Sequence, residues 1–551
     1  MTIFSSIRNS RVVPIAVAIA FTFTAQIFLA LNKSVNWDEF FHFQYVHQLN
    51  QGTLTQSLQI FYIHLVSWTA DLPMNTIDQL LVGRVVLLFS ELVLIAAIYG
   101  ITRRFAEVIP ALFCALAYVT AGFVFTQMSA FRPDAVSAAT LMTALWILTT
   151  KPLSAKWALG LGALVALAMI CTVKSLLYAP AFIGIAWLRY SEHRQVKAIA
   201  HYGLLAIISA ALFFTLLYAW HSLSLTSVSL TSSSRDLGSA RNTVFSAGLF
   251  PQGIYLAKQI LIAPLFALMV AASVFLIFRG SKSAAERLAL VGLAAPLLTV
   301  VFYRNSYAYN YVFILAPVAV TLYPAAEILI RRFGVVFASA LCLVQPAVAL
   351  AKEPYELLDR QKQILSAVRE IFPEPVAYVD FSGIIADYPR VFPFLTSGWG
   401  LHRYRDAGMG LLEARLKKES VPLIIANDPS IEAALRGIPI ADKFLPADQN
   451  IMRNHYIQHW GPLWVSGYHL NSAEEDGLID VASPGRYTVE GGPVLHDNRV
   501  YAAGAVIELA RGPNQLVPSG NVPVTLRWGD KLRQPKIAPP PPGPRGMFGD
   551  Y

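Results

Sequence analysis

Two adjacent carboxylates, Asp38 and Glu39, follow directly on the first hydrophobic run, within segment 36–42 (NWDEFFH). Charged groups at the exit of a membrane helix are costly and usually mark a functional site. A carboxylate there can take a proton from an attacking hydroxyl group. Since only one of two neighbouring side chains can point into one cavity, we expect Asp38 to be the base. Glu39 is then expected to orient Asp38, to bind a metal or to bond to the backbone.

The start of a helix offers a purely structural alternative for these acids. Asp38 at an N-cap, followed by Glu39, would begin an amphipathic helix well, because negative charge is favourable there. In such a helix His42 lies on the same face as both acids and is a candidate substrate-binding residue. Nothing else in the sequence completes a metal-ligand set with recognised spacing, so no cofactor is assigned and a divalent metal is left open.

A second group of charges lies in later segments. Arg132-Pro133-Asp134 makes a good helix start, with proline fixing the entry and the acid in the first turn. The alternative is that Asp134 is a second acid facing Asp38 and that Arg132 helps it bind the acceptor. Lys174 lies between two apolar runs, so it either snorkels to the head groups or meets an anionic ligand.

Segment 302–311 (FYRNSYAYNY) combines a cation with several aromatic residues. The planar fork of Arg304 suits a phosphate group. Asn305, Tyr307 and Tyr309 are predicted to bind substrate beside it. The tyrosines alone would also fit an aromatic belt at the membrane surface, but a belt does not need the Arg-Asn pair.

Composition places most of the chain in a bilayer. Of 551 residues, 55% are hydrophobic and only 14% are charged. Much of the formal net charge of +9 consists of Lys and Arg at the ends of apolar runs, so it does not predict nucleic-acid binding. The three cysteines are isolated within apolar runs and suggest neither a disulfide framework nor a metal cluster.

Apolar runs long enough to span a membrane number about eleven. They lie at 12–31, 82–102, 108–127, 135–150, 156–172, 174–190, 198–221, 253–278, 286–303, 309–329 and 333–350. If the spans alternate, the clusters of Lys and Arg fall on one side, which is then cytoplasmic. The N-terminus is therefore predicted to be cytoplasmic, and the acids and the chain after 351 to lie on the outer side. Segment 54–68 is predicted to be a helix in the membrane interface.

Three regions are predicted from these patterns. Residues 1–351 form the membrane domain. Residues 352–533 form a soluble domain with an α/β portion, followed from about 484 by alternating segments that indicate antiparallel strands. Residues 534–551 are rich in Pro and Gly and are predicted to be a disordered tail.

The residues on the outer face are those that sugar transfer from a lipid phosphate requires: a base, cations for the leaving phosphate, and membrane helices to hold the lipid. With Asp38-Glu39 in the first outer loop, Arg132-Pro133-Asp134 in the second, segment 54–68 and a C-terminal soluble region, the chain resembles the GT-C superfamily of integral-membrane glycosyltransferases. It is most similar in pattern to bacterial relatives of protein O-mannosyltransferases, aminoarabinose transferases and rhizobial galacturonosyl transferases.

The resemblance covers about the first 350 residues as an architecture and rests on short motifs. It implies a polytopic α-helical membrane fold with a periplasmic domain, in the inner membrane of a bacterium. It further implies a polyprenyl-phosphate-linked sugar donor, inversion at the anomeric carbon, Asp38 as catalytic base, and an envelope glycan, lipid or protein as acceptor. The His-Pro-Asp-Glu form of some mannosyltransferases is absent, because Asn36-Trp37 precedes the acids, and the sugar stays unassigned.

Two other classes remain as alternatives. An O-antigen ligase or polymerase would use a pyrophosphate-linked donor, and His221, Arg235 and Arg241 in or beside loop 222–252 fit its need for basic residues. In the main hypothesis the same two arginines close over the donor or are simply solvated. A secondary transporter would also have about eleven spans, but it usually places its polar site near mid-membrane between paired repeats.

Overall fold

The structure is a computed structural model that describes residues 11–226, 248–280, 282–393, 398–408, 410–440, 442–470, 477–541 and 547–549. Arg235 and Arg241 lie outside the described residues. The part up to Lys352 is helical. Its described α-helices are α1 (Val13–Asn32), α2 (Trp37–Asn50), α3 (Thr76–Leu88), α4 (Ser90–Thr102), α5 (Val108–Val119), α6 (Phe123–Gln127), α7 (Pro133–Thr150), α8 (Ala155–Cys171), α9 (Ala179–His193), α10 (Val196–Ser222), α11 (Gly253–Ile262), α12 (Pro264–Arg279), α13 (Ala284–Ala294), α14 (Asn310–Val320), α15 (Tyr323–Phe333) and α16 (Val335–Lys352).

Every predicted apolar run falls on one or more of these helices. By length and composition, five helical segments of the described chain are suited to cross a membrane, or seven if each of two bent pairs is one span. Helix α10 exposes most of its apolar surface, including Ile207 and Leu204. Such a large apolar surface is stable only when lipid covers it, so the chain is a multi-pass membrane protein. The number of about eleven spans stays a prediction.

Several predicted spans are broken helices. The pair α11 and α12 bends by 99° at Pro264, and the pair α14 and α15 bends by 73°. Run 108–127 divides into α5 and α6 at Gly122, whose φ of 45° lies in the left-handed region that glycine tolerates. Proline and glycine interrupt the backbone hydrogen-bond ladder, which explains why a hydropathy pattern counts one run where the fold has two helices.

Segment 54–68, predicted to be one interfacial helix, has a different structure. It contains a 3₁₀ turn at Phe61–Leu65, and a second follows at Ser67–Asp71. Gln59 has a φ of 66°, a left-handed conformation that an α-helix cannot contain. The prediction of a single helix over 54–68 is therefore wrong. The position of this segment in the membrane interface stays a prediction.

The soluble domain has the predicted mixture of an α/β portion and β-rich sheets. Its elements are α17 (Glu356–Ile371), β1 (Tyr378–Val379), α18 (Gly398–Ala407), α19 (Leu411–Leu416), β2 (Leu423–Ile425), α20 (Pro429–Leu435), α21 (Pro446–His455), β3 (Tyr456–Trp460), β4 (Leu463–Leu470), β5 (Leu478–Val481), β6 (Gly485–Gly491), β7 (Val494–His496), β8 (Arg499–Tyr501), β9 (Val506–Leu509), β10 (Gly512–Gln515), β11 (Val517–Pro518) and β12 (Val524–Trp528). The main sheet has the order β1-β2-β4-β12-β6-β9, with β3 beside β4. Strands β1 and β2 are parallel, and the other pairs in this sheet are antiparallel.

Helix α2 joins the membrane part to the soluble domain. Its buried face, with Phe40 and Phe43, belongs to the same hydrophobic cluster as Ile364 of α17 and Ile384 after β1. The loop after β1 approaches α2 so closely that a Cβ on Gly383 would lie 1.9 Å from the Gln44 amide nitrogen. The φ of Gly383 is 85°, in the left-handed region that favours glycine, and the two parts of the chain share one core.

Polar contacts fix this junction between α2 and the soluble domain. Arg390 donates to Gln44 Oε1 at 3.1 Å and pairs with the buried Asp380 at 2.8 Å. Asp380 Oδ2 also accepts the backbone N–H groups of Gly383 and Ile384. Arg390 therefore links Gln44 of α2 to Asp380 of the soluble domain, and Asp380 in turn binds the loop after β1. These hydrogen bonds fix the position of α2 against the soluble domain.

Two described parts of the predicted tail make defined contacts. The carbonyl oxygen of Ile537 accepts a hydrogen bond from the Trp460 ring on β3 at 3.0 Å. Residues 547–549 lie against the start of α2. A disordered tail was not expected to make such contacts.

Candidate functional site

Helix α2 begins with a capping box, and Asn36 rather than Asp38 is its N-cap. The Asn36 side-chain oxygen accepts the Asp38 N–H at 3.2 Å, and Glu39 Oε1 accepts the Asn36 N–H at 3.1 Å. The alternative correctly expected a helix start at these acids, but it named Asp38 as the N-cap, which is Asn36. Asp38 lies in the first turn, where its side chain is available for other contacts.

Glu39 accepts four hydrogen bonds, one of which is that from the Asn36 N–H. Arg84 of α3 donates to both of its oxygens, at 2.8 and 2.6 Å, and the Phe131 N–H donates to Oε2 at 2.6 Å. Burial acts to raise the pKa of Glu39, but Arg84 and the backbone donors offset it, so the pKa lies below its usual value. This carboxylate fixes the start of α2 and has no capacity left to act as a base.

Asp38 belongs to a buried chain of alternating charges. Asp38 Oδ2 pairs with Arg132 Nη1, Arg132 Nε pairs with Asp134 at 3.1 Å, and Asp134 Oδ1 pairs with Lys174. None of the four is more than 9% exposed. Two positive and two negative charges give the cluster no formal net charge, which makes its burial tolerable. The sequence predicts that Asp134 faces Asp38. In the structure Arg132 lies between the two acids and pairs with both.

The predicted tyrosine segment packs beneath this cluster. Tyr309 places its ring 3.3 Å from the Arg132 guanidinium carbon and 5.0 Å from Lys174 Nζ, within the range of cation–π attraction. Tyr307 contacts Tyr309, with 5.8 Å between ring centroids. Asn305 lies in the turn that precedes α14. These tyrosines therefore support and flank the ionic cluster.

His42 faces the same cluster from α2. Burial lowers the pKa of His42 to about 4, with Asp134 and Glu39 acting to raise it and Lys174 to lower it. Its Nδ1 is buried and has no hydrogen-bond partner among the described residues, while its ring lies 6.0 Å from that of Tyr62. His42 therefore packs beside the ionic cluster and is not among the residues that line the cavity described below.

A cavity of about 1320 Å³ lies beside these residues. Its lining includes Asn36, Trp37 and Tyr307 near the cluster, and Phe381 from the soluble domain. Its other wall is formed by apolar residues of α12 and α16, among them Phe266, Met269, Val344 and Val348. Asp38 is flanked by lining residues but is itself turned toward Arg132.

Lys33 is a cavity-lining cation that sequence analysis missed. It caps α1, and its Nζ donates to the Thr126 carbonyl at 3.2 Å. No carboxylate of the described chain lies within ion-pair distance of this ammonium group. The signal was the one that selected Lys174: a lysine at the outer end of a span, against the positive-inside trend.

Other predicted site residues are more distant or occupied. The Arg304 guanidinium forms no ion pair with any described residue and is not part of the cavity lining. His221 is hydrogen-bonded to His64 at 2.8 Å. Within the described ranges, no group of three or more His, Cys, Asp and Glu is placed to hold a metal ion.

Known proteins share this architecture. A family model described as dolichyl-phosphate-mannose-protein mannosyltransferase matches residues 64–220. ArnT from Cupriavidus metallidurans, solved with undecaprenyl phosphate, has a TM-score of 0.55 and 12% identity over 77% of this chain and 94% of its own. AglB from Archaeoglobus fulgidus, an oligosaccharyltransferase solved with an inhibitory peptide and dolichol phosphate, has a TM-score of 0.52 and 10% identity over 99% of each chain. No curated protein matches the sequence significantly. At this identity the two structures show a common fold.

Proposed function

We propose that this chain, a glycosyltransferase of the GT-C type, moves a sugar from a polyprenyl-phosphate donor to an acceptor on the outer face of a bacterial inner membrane. The observation that carries the proposal is the buried Asp38 cluster beside a cavity with one apolar and one polar wall. The polyprenyl phosphates bound by the two solved relatives support a donor of this class.

Asp38 is the proposed base. The acceptor hydroxyl attacks the anomeric carbon as its proton passes to the Asp38 carboxylate, and the bond from that carbon to the phosphate oxygen breaks. One displacement inverts the anomeric centre. The ion pair with Arg132 holds the Asp38 carboxylate in place. Asp134 and Lys174 hold Arg132 in turn.

The leaving phosphate gains negative charge and requires a cation. Lys33 is suited to this role, because its ammonium group lines the cavity without a carboxylate partner among the described residues. Arg304 is the second candidate, since its segment also carries Tyr307 at the cavity wall. Arg132 and Lys174 already pair with Asp134, so in this proposal they hold the acids in place and do not bind the leaving phosphate directly.

In this proposal the isoprenoid chain of the donor and the acceptor molecule enter the cavity from opposite sides. The apolar residues of α12 and α16 suit an isoprenoid chain, which needs no polar contact. The acceptor, an envelope glycan, lipid or protein, arrives from the side of the soluble domain, where Phe381 and Asn427 line the cavity. The N-terminus is then cytoplasmic and the soluble domain periplasmic.

The experiment compares lipid-linked sugars and envelope glycans by mass spectrometry in cells with and without this protein. Loss of one glycan with accumulation of its polyprenyl-phosphate sugar is expected. Complementation with the unaltered chain should restore the profile, and Asp38→Asn should not. Accumulation of a pyrophosphate-linked donor instead would favour the ligase or polymerase alternative, and unchanged profiles would refute both.

A further inference from the structure

Three residues near the C-terminus lie at the start of the proposed catalytic helix. Gln361 Nε2 donates to the Met547 carbonyl at 2.9 Å, and Asn36 Nδ2 donates to the Gly549 carbonyl at 3.4 Å. Between them, the Phe548 ring lies 6.2 Å from that of Phe40, measured between centroids. The segment is therefore bound through its backbone on both sides of one anchoring side chain.

The receptor for this segment is part of the site. Gln361 also exchanges two hydrogen bonds with the Val35 backbone, at 2.9 and 2.8 Å, immediately before the N-cap. Asn36 uses its amide nitrogen for Gly549 and its amide oxygen for the Asp38 N–H. One side chain thus links the C-terminal segment to the backbone of the proposed base.

The segment also forms part of the cavity wall. Met547, Phe548 and Gly549 line the same cavity as Lys33 and Glu39. The Phe548 ring lies 6.0 Å from that of Phe381 in the soluble domain, so it fills the gap between that domain and α2. This is the side from which the proposed acceptor enters.

The contacts are few, and all three residues remain partly exposed. Two backbone carbonyls bound by side-chain amides and one aromatic side chain between two rings are contacts that a short segment can release without unfolding the domain. The chain before it is held independently, since Trp460 binds the Ile537 carbonyl.

We propose that Met547–Gly549 is a displaceable plug on the outer side of the cavity, which the acceptor removes when it binds. The plug excludes water from the donor while no acceptor is present. This regulation rests on the proposed function, because it assumes that sugar transfer occurs in this cavity.

Kinetics of the full-length protein in nanodiscs test the plug. Phe548→Ala, and a chain ended after Pro541, are compared with Val500→Ala, which truncates an exposed side chain on β8. A plug that must open first raises the apparent acceptor KM by the inverse of the fraction of molecules in which it is open. If that fraction is about a third to a tenth, both tail variants should lower KM roughly three- to tenfold with kcat unchanged. Unchanged or raised KM in both variants would overturn the proposal.

A second measurement does not depend on activity. A fluorescent peptide with the sequence of residues 546–549, Gly-Met-Phe-Gly, is titrated into the full-length chain and into the chain ended after Pro541. It should bind the shortened chain, bind the full-length chain roughly three- to tenfold more weakly, and lose binding when its Phe is replaced by Ala. Equal binding to both chains, or none to the shortened one, would refute the plug. Peptide binding as expected, in a protein that transfers no polyprenyl-phosphate sugar, would leave the plug standing and refute the proposed function.

Discussion

Replacing Asp38 by Asn should lower the rate of sugar transfer much more than it lowers the stability of the protein. The substitution keeps the shape of the side chain but removes the charge that accepts the proton. Loss of a general base typically costs about 10²- to 10⁴-fold in rate, or about 2.7–5.4 kcal/mol in activation free energy. We expect kcat to fall by that factor while donor affinity changes little.

The effect on stability should be smaller, and the structure shows why. Arg132 loses one partner but keeps Asp134 at 3.1 Å and the Tyr309 ring at 3.3 Å, so it is not left alone. Loss of one charged hydrogen bond costs about 1.5–3 kcal/mol, compared with about 3–5 kcal/mol for an isolated buried charge. Thermal unfolding should therefore show a modest decrease for Asp38→Asn.

Transfer rates and unfolding are measured on the same purified protein in nanodiscs. Asp359→Asn, an exposed carboxylate on α17, is the matched control and should leave both unchanged. A variant Asp38→Asn that retains more than about a tenth of the activity would remove Asp38 from the role of base. A collapse of folding would show that the cluster depends on Asp38 for its integrity.

The remaining predictions concern neighbouring charges. Glu39→Gln or Arg84→Met should each lower the free energy of unfolding by about 3–5 kcal/mol, and the double variant by less than their sum, because each single change leaves a buried group unpaired; additive losses would contradict the pair. The native pKa of His42, about 4, lies below its ordinary 6.5, so it favours the folded state above pH 6.5 and this stability is lost as the pH falls toward 4; His42→Gln should flatten the acid side of a melting-temperature profile, and an unaltered profile would refute this. Lys33→Met should weaken binding of polyprenyl phosphate about tenfold or more, with Lys33→Arg retaining most of it, and equal affinities would exclude the phosphate contact. Arg304→Ala should weaken donor binding more than it slows the bound reaction, which KM and kcat measured separately will decide.

Hydropathy and local motifs predicted the membrane helices and the start of α2, because both depend on residues close in sequence. They also placed Asp38, Asp134 and Lys174 on one predicted face, since the sidedness of the spans follows from the distribution of Lys and Arg. The same sidedness applied to Lys33, but its place beside the acids was overlooked. The position of Lys33 at the outer end of a span is therefore readable from the sequence.

Other features depend on contacts between distant segments. A buried Arg84 requires an anionic partner, yet the spacing of residues cannot show that Glu39, rather than Glu91, supplies it. The assignment of roles between Asp38 and Glu39 depends on this contact. Likewise, a Pro- and Gly-rich tail has the composition of a disordered segment, and only the amides of Gln361 and Asn36 give its last described residues a place.

The close approach of Gly383 to Gln44 limits how such enzymes can be recombined. A soluble domain grafted from a protein of this fold would bring its own loop against α2. A side chain in place of that glycine would displace the Gln44 amide and strain a backbone whose φ is 85°. A chimera is therefore expected to fold best when the loop and the facing turn of α2 are exchanged as one unit.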